Sequence, residues 1–190
     1  MVLNNGEIKV LFGFIKTKST VWHIGCLQSS DFLCILIIEL NYRIVQQISK
    51  LELSNLEYLE IWRIPLKHYN QQSITSIITD KSFPTLKYLG LPSSDCTNEL
   101  VKIIISSGIP EQLKVLNLSM GTLTDEGANL LLNSPLINKL HTLNVSVNVL
   151  STEMTQRLSK LNCRVIAEPQ FEMNYRDSAL EPEYYDTLYE

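Results

Sequence analysis

The chain has 190 residues, enough for one sizeable domain, and its apolar fraction of 45% is ordinary for a soluble globular protein. The formal net charge of −4 gives no overall reason to expect binding to nucleic acid or to an acidic membrane surface. The longest apolar run, residues 32–38, is too short to span a membrane, and no signal peptide is evident, so we expect a cytoplasmic protein without nucleic-acid or membrane partners.

The first 30 residues do not join the pattern that organises the rest of the chain. Apolar stretches at residues 10–15 and 21–24 predict two strands within them. We therefore treat residues 1–30 as an irregular N-terminal segment.

From residue 31 onwards, the pattern L-x-x-L-x-L recurs at intervals of 23, 30, 27 and 27 residues. Intervals of about 20–29 residues are typical of leucine-rich repeats. Each copy predicts a short strand. The copies, of which the first is weaker, are Leu33/Leu36/Ile38, Leu56/Leu59/Ile61, Leu86/Leu89/Leu91, Leu113/Leu116/Leu118 and Leu140/Leu143/Val145.

Each strand pattern is followed by a turn and then by apolar residues at helical spacing. Thr124 and Ser151 precede two of these predicted helices as candidate N-caps, and Gly108 is a helix stop after another. The predicted inward-facing helix residues are Ile44, Val45, Ile48, Ile74, Ile77, Ile78, Leu100, Val101, Ile104, Ala128, Leu131, Leu132, Met154, Leu158 and Leu161.

One strand–turn–helix unit cannot bury its own apolar face, whereas stacked units bury a continuous core. The predicted fold is therefore an α/β leucine-rich-repeat solenoid with about five right-handed strand–turn–helix repeats and a parallel sheet on the concave face. Residues 31–166 form this domain. Residues 1–30 cap its end or are a remnant of longer upstream repeats, and residues 167–190 are an acidic, tyrosine-rich C-terminal tail.

Residues 44–165 resemble the ribonuclease-inhibitor-type leucine-rich repeat, L-x-x-L-x-L-x-x-N-x-L-x-x-x-G-x-x-x-L. Two departures from this pattern are Gly121, where asparagine is expected, and Met154, where the helix glycine is expected. The matching positions are Leu113, Leu116, Leu118, Leu123 and Gly127 in one copy, and Leu140, Leu143, Val145, Asn148 and Leu150 in the next.

The stretches NLEYLEIW, FPTLKYLGL, LKVLNLSMGTLTDEGA and YYDTLYE are also similar to a bacterial repeat family of unassigned biochemical role. This resemblance covers about two-thirds of the chain. It implies a repeat fold and a cytoplasmic setting, and it brings no known activity.

The residues that usually carry chemistry do not form a recognisable catalytic or metal-binding motif. Asp125 and Glu126 are typical of the first turn of a helix, where unpaired N–H groups favour anions. The cysteines lack metal or redox spacing and are expected to be free thiols, and no histidine has a second one at i+3 or i+4. We expect no catalytic residue, metal or cofactor. The cysteines are Cys26, Cys34, Cys96 and Cys163, and the histidines are His23, His68 and His141.

Alternation along the strands assigns the third, fifth and seventh pattern positions to the face opposite the core. Aromatic side chains occupy these positions in the second and third copies, and small polar ones occupy them in the fourth and fifth. Tyrosine and tryptophan are enriched at binding hot spots. The predicted partner-binding residues are Tyr58, Glu60, Trp62, Tyr88, Asn117, Ser119, Asn144 and Ser146.

The function that we expect is non-enzymatic binding of a protein partner through the concave sheet, as a scaffold or adaptor. Three alternatives stay open. In the first, the aromatic residues simply cover the sheet and are packed against the preceding end segment. In the second, the chain is an enzyme with a site in a solenoid-edge loop, for which residues 65–70 and His68 are the place to look. In the third, the chain is the C-terminal fragment of a longer repeat protein with a regulatory role.

Overall fold

The computed structural model describes most of the chain from residue 54 onwards and the N-terminal strands. Backbone is described for those strands and for residues 54–64, 68–79 and 83–171, and side chains for residues 54–64, 74–79 and 83–171. The helix predicted from Ile44, Val45 and Ile48 and most of the C-terminal tail lie outside the described residues.

The described strands form one sheet whose order follows the chain. Strands β1 to β4 pair in antiparallel fashion, and β4 to β9 pair in parallel. The strands are β1 Asn4–Asn5, β2 Ile8–Thr17, β3 Thr20–Gln28, β4 Leu33–Ile38, β5 Leu56–Trp62, β6 Tyr88–Gly90, β7 Val115–Asn117, β8 Thr142–Asn144 and β9 Arg164–Ile166.

Helices alternate with the parallel strands, as a solenoid-like arrangement requires. The helices are α1 His68–Thr79, α2 Thr97–Ser107, α3 Asp125–Asn133 and α4 Thr152–Leu158, with short 3-10 turns at Ile109–Glu111 and Ile137–Lys139. In the described part of the chain, none of these helices has the length and apolar character needed to cross a bilayer. Each strand with its following turn and helix is called a coil below.

The helix ends follow local chemistry. Gly108 ends α2 with a left-handed backbone (φ 73°), a conformation that glycine adopts without steric cost. The Ser151 hydroxyl accepts a hydrogen bond from the Met154 N–H at 3.1 Å and caps α4 as predicted. Thr124 occupies the N-cap position of α3, but its hydroxyl makes no capping bond and instead accepts one from the Asn98 amide at 2.8 Å. His68, expected in a turn, begins α1.

The leucine positions of the repeated pattern are the core. From β5 onwards, all twelve first, fourth and sixth residues are at most 4% exposed. The inner faces of the helices join the same cluster, and Leu132 and Leu161 lie half-buried at its margin. Burying a leucine or isoleucine contributes about 1.5–3 kcal/mol, so this continuous cluster is the main stabilising term. The twelve residues are Leu56, Leu59, Ile61, Leu86, Leu89, Leu91, Leu113, Leu116, Leu118, Leu140, Leu143 and Val145.

The same backbone turn recurs after each parallel strand from β5 to β8. Arg63, Ser93, Met120 and Val147 all have positive φ, between 55° and 58°, although none is glycine. Each lies eighth in its copy of the pattern. Such left-handed backbone costs on the order of 1–2 kcal/mol per residue. The N–H group of each of these residues donates a hydrogen bond to a carbonyl that follows the next strand of the sheet, and these bonds between coils hold the turn.

The N-terminal end of the sheet departs from the repeated register. The weaker copy of the pattern predicted that Leu36 and Ile38 would align with the fourth and sixth positions of the next strand. The structure instead pairs Ile35 with Leu59 and Ile37 with Ile61, after a register shift between Leu33 and Cys34. The two strands predicted within residues 1–30 are present as the longer β2 and β3, which extend the sheet in antiparallel fashion. The division into domains stays a prediction.

A buried asparagine fastens one turn to the next. The Asn148 side chain is completely buried, and its Oδ1 accepts a hydrogen bond from the Leu123 N–H at 2.8 Å. Its Nδ2 donates to the carbonyls of Leu118, Val145 and Ser146 at 2.9–3.2 Å. One side chain thus satisfies four backbone groups from two coils.

Gln170 has the same role at the last coil. Its Oε1 accepts hydrogen bonds from the N–H groups of Asn148 and Leu150 at 3.1 and 3.3 Å. Its Nε2 donates to the carbonyls of Val145, at 2.8 Å, and Ala167. The first residues of the predicted tail are therefore bound to the final coil.

We predict that Asn148→Ala lowers the free energy of unfolding by on the order of 3 kcal/mol, because it leaves several buried backbone groups without partners. Asn129→Ala is the matched control, since Asn129 lies half-buried on α3 with no side-chain hydrogen bond among the described residues. Urea unfolding followed by circular dichroism measures both. Equal stability losses in the two variants would show that the Asn148 bonds are not what holds the turns.

Candidate functional site

The predicted partner-binding residues lie on the side of the sheet opposite the buried leucines, here called the outer sheet face. The strand register brings Tyr58 beside Tyr88, and Glu60 beside Gly90. The row continues through Asn117 to Asn144. The face therefore has an aromatic part on β5 and β6 and a polar part on β7 and β8.

The aromatic part is a tightly ordered unit. The rings of Tyr58 and Tyr88 stack with centroids 4.0 Å apart and planes 9° from parallel. Trp62 lies at the end of the same strand as Tyr58, and all three side chains are half-buried. Residues far apart in sequence form this stack because the interval of 30 residues returns the chain to the same strand position.

Glu60 lies at the centre of these rings and is only 8% exposed. Its Oε2 accepts hydrogen bonds from the hydroxyls of Tyr58 and Tyr88 at 2.5 and 2.6 Å. Its Oε1 accepts one from the Trp62 indole N–H. We call Tyr58, Glu60, Trp62 and Tyr88 the Glu60 cluster. The carboxylate fixes the orientation of all three aromatic side chains.

Gly90 makes the space in which this cluster forms. A Cβ atom at Gly90 would lie 2.9 Å from Glu60 Cγ, 2.9 Å from Tyr88 Cε1 and 3.0 Å from Glu60 Oε2. Contacts this short do not occur between carbon atoms without displacement. The missing side chain on β6 therefore lets the Glu60 side chain reach the Tyr88 hydroxyl.

The surroundings keep both phenols neutral. Burial raises the pKa of Tyr58 far above its ordinary value, and the hydrogen bond to Glu60 raises it further. Burial and Glu60 also raise the pKa of Tyr88, although the hydrogen bond from Asn117 partly opposes them. A phenolate here would face a carboxylate and lose its donated bond. The tyrosines therefore act as donors to Glu60.

The polar part is organised by local turns and is joined to the Glu60 cluster. Asn117 Oδ1 accepts from the Ser119 N–H at 3.1 Å, while its Nδ2 donates to the Tyr88 hydroxyl at 3.1 Å. Asn144 Oδ1 accepts from the N–H and hydroxyl of Ser146 at 3.1 and 2.8 Å. Ser119 and Ser146 are 8% and 9% exposed, so the two asparagines offer more surface than the serines.

A second concave feature lies at the C-terminal coil. It is an open cleft of about 630 Å³. The carboxylate of Asp125 in its wall already accepts bonds from the N–H and hydroxyl of Ser151, at 2.9 and 2.7 Å. This explains the acidic pair of the sequence in part, since Asp125 joins the start of α3 to the cap of α4. The lining residues are Thr124, Asp125, Val149, Leu150, Ser151, Thr152, Thr155, Glu168, Gln170 and Phe171.

Other reactive groups in the described residues lie in unreactive settings. Burial raises the pKa of Cys96 to about 12, and it also raises that of Cys163. Both are free thiols. His141 is exposed, and its ring forms a hydrogen bond with the Thr142 hydroxyl. Within the same residues, no group of three or more His, Cys, Asp and Glu side chains is placed to hold a metal ion.

We predict that stability falls as pH rises above about 10, the ordinary pKa of tyrosine. The unfolded chain releases the protons of Tyr58 and Tyr88 near that pH, whereas the folded chain retains them. The stabilising contribution is complete below that pH and is lost above it. Urea unfolding across pH 8 to 11 (approximate limits that bracket this pKa) measures the decline.

The matched control for this pH dependence is the Tyr58→Phe, Tyr88→Phe double variant, which retains both rings and loses both titrating groups. Its stability should decline less steeply over the same range. An identical slope in wild type and variant would contradict the assignment, because other groups would then account for the decline.

We also predict that Gly90→Ala destabilises the chain by about 1–3 kcal/mol, the usual cost of overpacking. The added methyl group would displace Glu60 from the Tyr88 hydroxyl. Near-ultraviolet circular dichroism should report loss of the tyrosine stack, and urea unfolding the lost stability. A Gly90→Ala variant with unchanged spectrum and stability would show that the cluster tolerates other packings.

The chain is similar in sequence and structure to a protein from Bacteroides fragilis whose crystal structure is known, with 31% sequence identity and a TM-score of 0.61. The similarity covers 67% of this chain and 38% of that one, so this chain spans little more than a third of the other's length. No protein-family model and no curated protein matches the chain. The likeness supports an α/β arrangement of parallel strands alternating with helices, and it carries no activity.

Proposed function

We propose that this chain is a leucine-rich-repeat protein of the ribonuclease-inhibitor-like type, and that its outer sheet face binds a protein partner without catalysis. The repeat assignment is supported by the buried leucines at matching positions of the parallel strands. It is also supported by Asn148, whose buried amide fills the asparagine position of the pattern and bonds to two turns.

The observation that carries the binding proposal is the Glu60 cluster. Tyrosine and tryptophan supply large contact area with few rotatable bonds and are enriched at binding hot spots. Here their hydrogen bonds to Glu60 already fix their orientation. These side chains would therefore lose little conformational entropy when a partner binds, which is how a preorganised surface gains affinity.

The dimensions of the face also suit a polypeptide. Neighbouring strands lie about 4.7–4.9 Å apart, so β5 to β8 span roughly 14 Å across the sheet. The aromatic part lies at one side of this span, and Asn117 and Asn144 lie further along it. Aromatic anchors beside amide groups are the combination that protein interfaces use, with apolar contact at the centre and hydrogen bonds around it.

Catalysis at this face is disfavoured by the chemistry of its hydroxyls. A nucleophilic or general-base phenol needs surroundings that stabilise its anion, which lower its pKa. Burial and the hydrogen bonds to Glu60 instead raise the pKa of Tyr58 and of Tyr88, so both phenols stay protonated as hydrogen-bond donors. Of the loop at residues 65–70, only its last three residues, at the start of α1, are described.

We predict that the Tyr58→Ala, Trp62→Ala double variant loses the partners that the wild-type chain captures from a lysate of its own organism, as measured by affinity purification and mass spectrometry. The Lys102→Ala, Glu126→Ala double variant is the control, because this exposed ion pair joins α2 to α3 on the helical side. It should capture the same partners as wild type.

Folding of the variants is checked by circular dichroism, and Tyr58→Phe, Trp62→Phe serves as a milder pair that retains aromatic packing. The milder pair should capture less partner than wild type because the orienting bonds to Glu60 are lost. If the folded alanine variant captures the wild-type partners undiminished, the outer sheet face is not the binding surface.

A further inference from the structure

Every polar hydrogen of the Glu60 cluster side chains is directed inward. The Tyr58 and Tyr88 hydroxyls and the Trp62 indole N–H all donate to the Glu60 carboxylate. Each of these groups has one hydrogen to donate. What the cluster can still offer to a partner is therefore oxygen lone pairs and aromatic ring surface, so the complementary group must be a hydrogen-bond donor.

Acceptor capacity remains at the carboxylate. Two carboxylate oxygens have about four lone-pair sites. The three bonds described for Glu60 leave about one of these sites open. Because Oε2 accepts two bonds and Oε1 one, the open site belongs to Oε1, beside Trp62.

Among the residues whose side chains are described, no cationic group forms an ion pair with Glu60. All its bonded partners are neutral, and the ion pairs among the described residues involve Glu57, Glu111 and Glu126 instead. A largely buried charge normally has an opposite charge beside it. Neutral donors orient and solvate this carboxylate, but they leave its negative field at the outer sheet face.

We propose that the Glu60 cluster binds a lysine or arginine side chain of a protein partner. This inference rests on the proposed function and specifies what the partner presents. An ammonium or guanidinium group brings several donors and no acceptor, which matches the open site on Oε1. The same cation is attracted to the ring surfaces of Trp62, Tyr58 and Tyr88, since the faces of aromatic rings are electronegative.

The distribution of charge sets where this cation binds. At the tyrosine position of the strand register, the last strand carries Arg164, whose side chain is exposed and which lies four strands from Tyr58. At about 4.7–4.9 Å per strand, that separation is roughly 19 Å. Arg164 disfavours a cation near β9, whereas Glu60 favours one near the aromatic rings of β5. Lys87 nearby is already paired with Glu57 at 2.9 Å.

The test uses short probes and one reporter. The chain has two tryptophans, so the indole N–H of Trp62 gives one of two such signals in a proton–nitrogen NMR spectrum, identified by its loss in Trp62→Phe. The full chain is titrated with acetyl-Gly-Lys-Gly-amide, acetyl-Gly-Arg-Gly-amide and the norleucine analogue, which has an uncharged side chain of similar shape. The two cationic peptides should shift the Trp62 signal in a saturable, salt-sensitive manner, and the norleucine peptide should not.

Two glutamine variants locate the charge that is recognised. Glu60→Gln should weaken binding of the lysine and arginine peptides roughly tenfold, because hydrogen bonds to charged groups are the stronger ones. Glu57→Gln on the same strand should leave it unchanged. If Glu60→Gln does not fold, the comparison of lysine with norleucine in the wild-type chain still decides the question.

The outcomes separate this inference from the proposed function. Equal shifts with lysine and norleucine peptides would overturn the cation site and leave an aromatic binding surface. No shift with any cationic peptide would also overturn it, while partner capture that depends on Tyr58 and Trp62 would still support protein binding. Loss of the effect in Glu57→Gln and not in Glu60→Gln would place the cation at the other carboxylate.

Discussion

The leucines of each described coil lie in one continuous core with the apolar residues of the neighbouring coils. A single strand, turn and helix cannot enclose the apolar residues at its own first, fourth and sixth positions. They become buried when the neighbouring strand places a leucine at the paired position of the sheet register. Leu59, Leu89, Leu116 and Leu143 are paired in this way across four strands. The burial of one coil therefore fixes the register of the next.

The same register determines what lies on the outer sheet face. Because side chains alternate along a strand, aligning the leucines also aligns the residues between them. Glu60 is thereby held beside Gly90, and Tyr58 beside Tyr88. Bringing the residues of the Glu60 cluster together requires little additional free energy, since packing of the core has already set the distances between their strands. Its cost is desolvation of a carboxylate, which three donated hydrogen bonds offset.

The sequence was sufficient to predict the strands β5 to β8, the helices that alternate with them and most of the core residues, because a period of 27 or 30 residues repeats the same apolar positions. It failed at β4, where a register shift after Leu33 moves the leucines by one position. A shift of one residue moves every side chain of a strand to the opposite face of the sheet. The apolar run at β4 contains no charged or amide residue from which the correct register could be recognised. The face residues were predictable from alternation. The bonds to Glu60 were not, although Gly90 opposite Glu60 was a signal that could have indicated them.

The asparagine position shows why a repeated backbone need not have a repeated side chain. Gly121 lies where Asn148 lies one coil later, and a Cβ at Gly121 would clash with the Thr97 hydroxyl. That hydroxyl accepts a hydrogen bond from the Thr122 N–H at 3.1 Å and donates to the Ser94 carbonyl at 2.9 Å. A threonine from the preceding coil thus satisfies backbone groups near the turn at which the asparagine is missing. Each buried N–H and C=O group needs a hydrogen-bond partner, but different residue types can supply it. On the outer sheet face, Asn117 and Asn144 provide such partners for the N–H groups of Ser119 and Ser146. The Glu60 cluster instead bonds through its own side chains, so its residues differ from those at the same positions of the later coils.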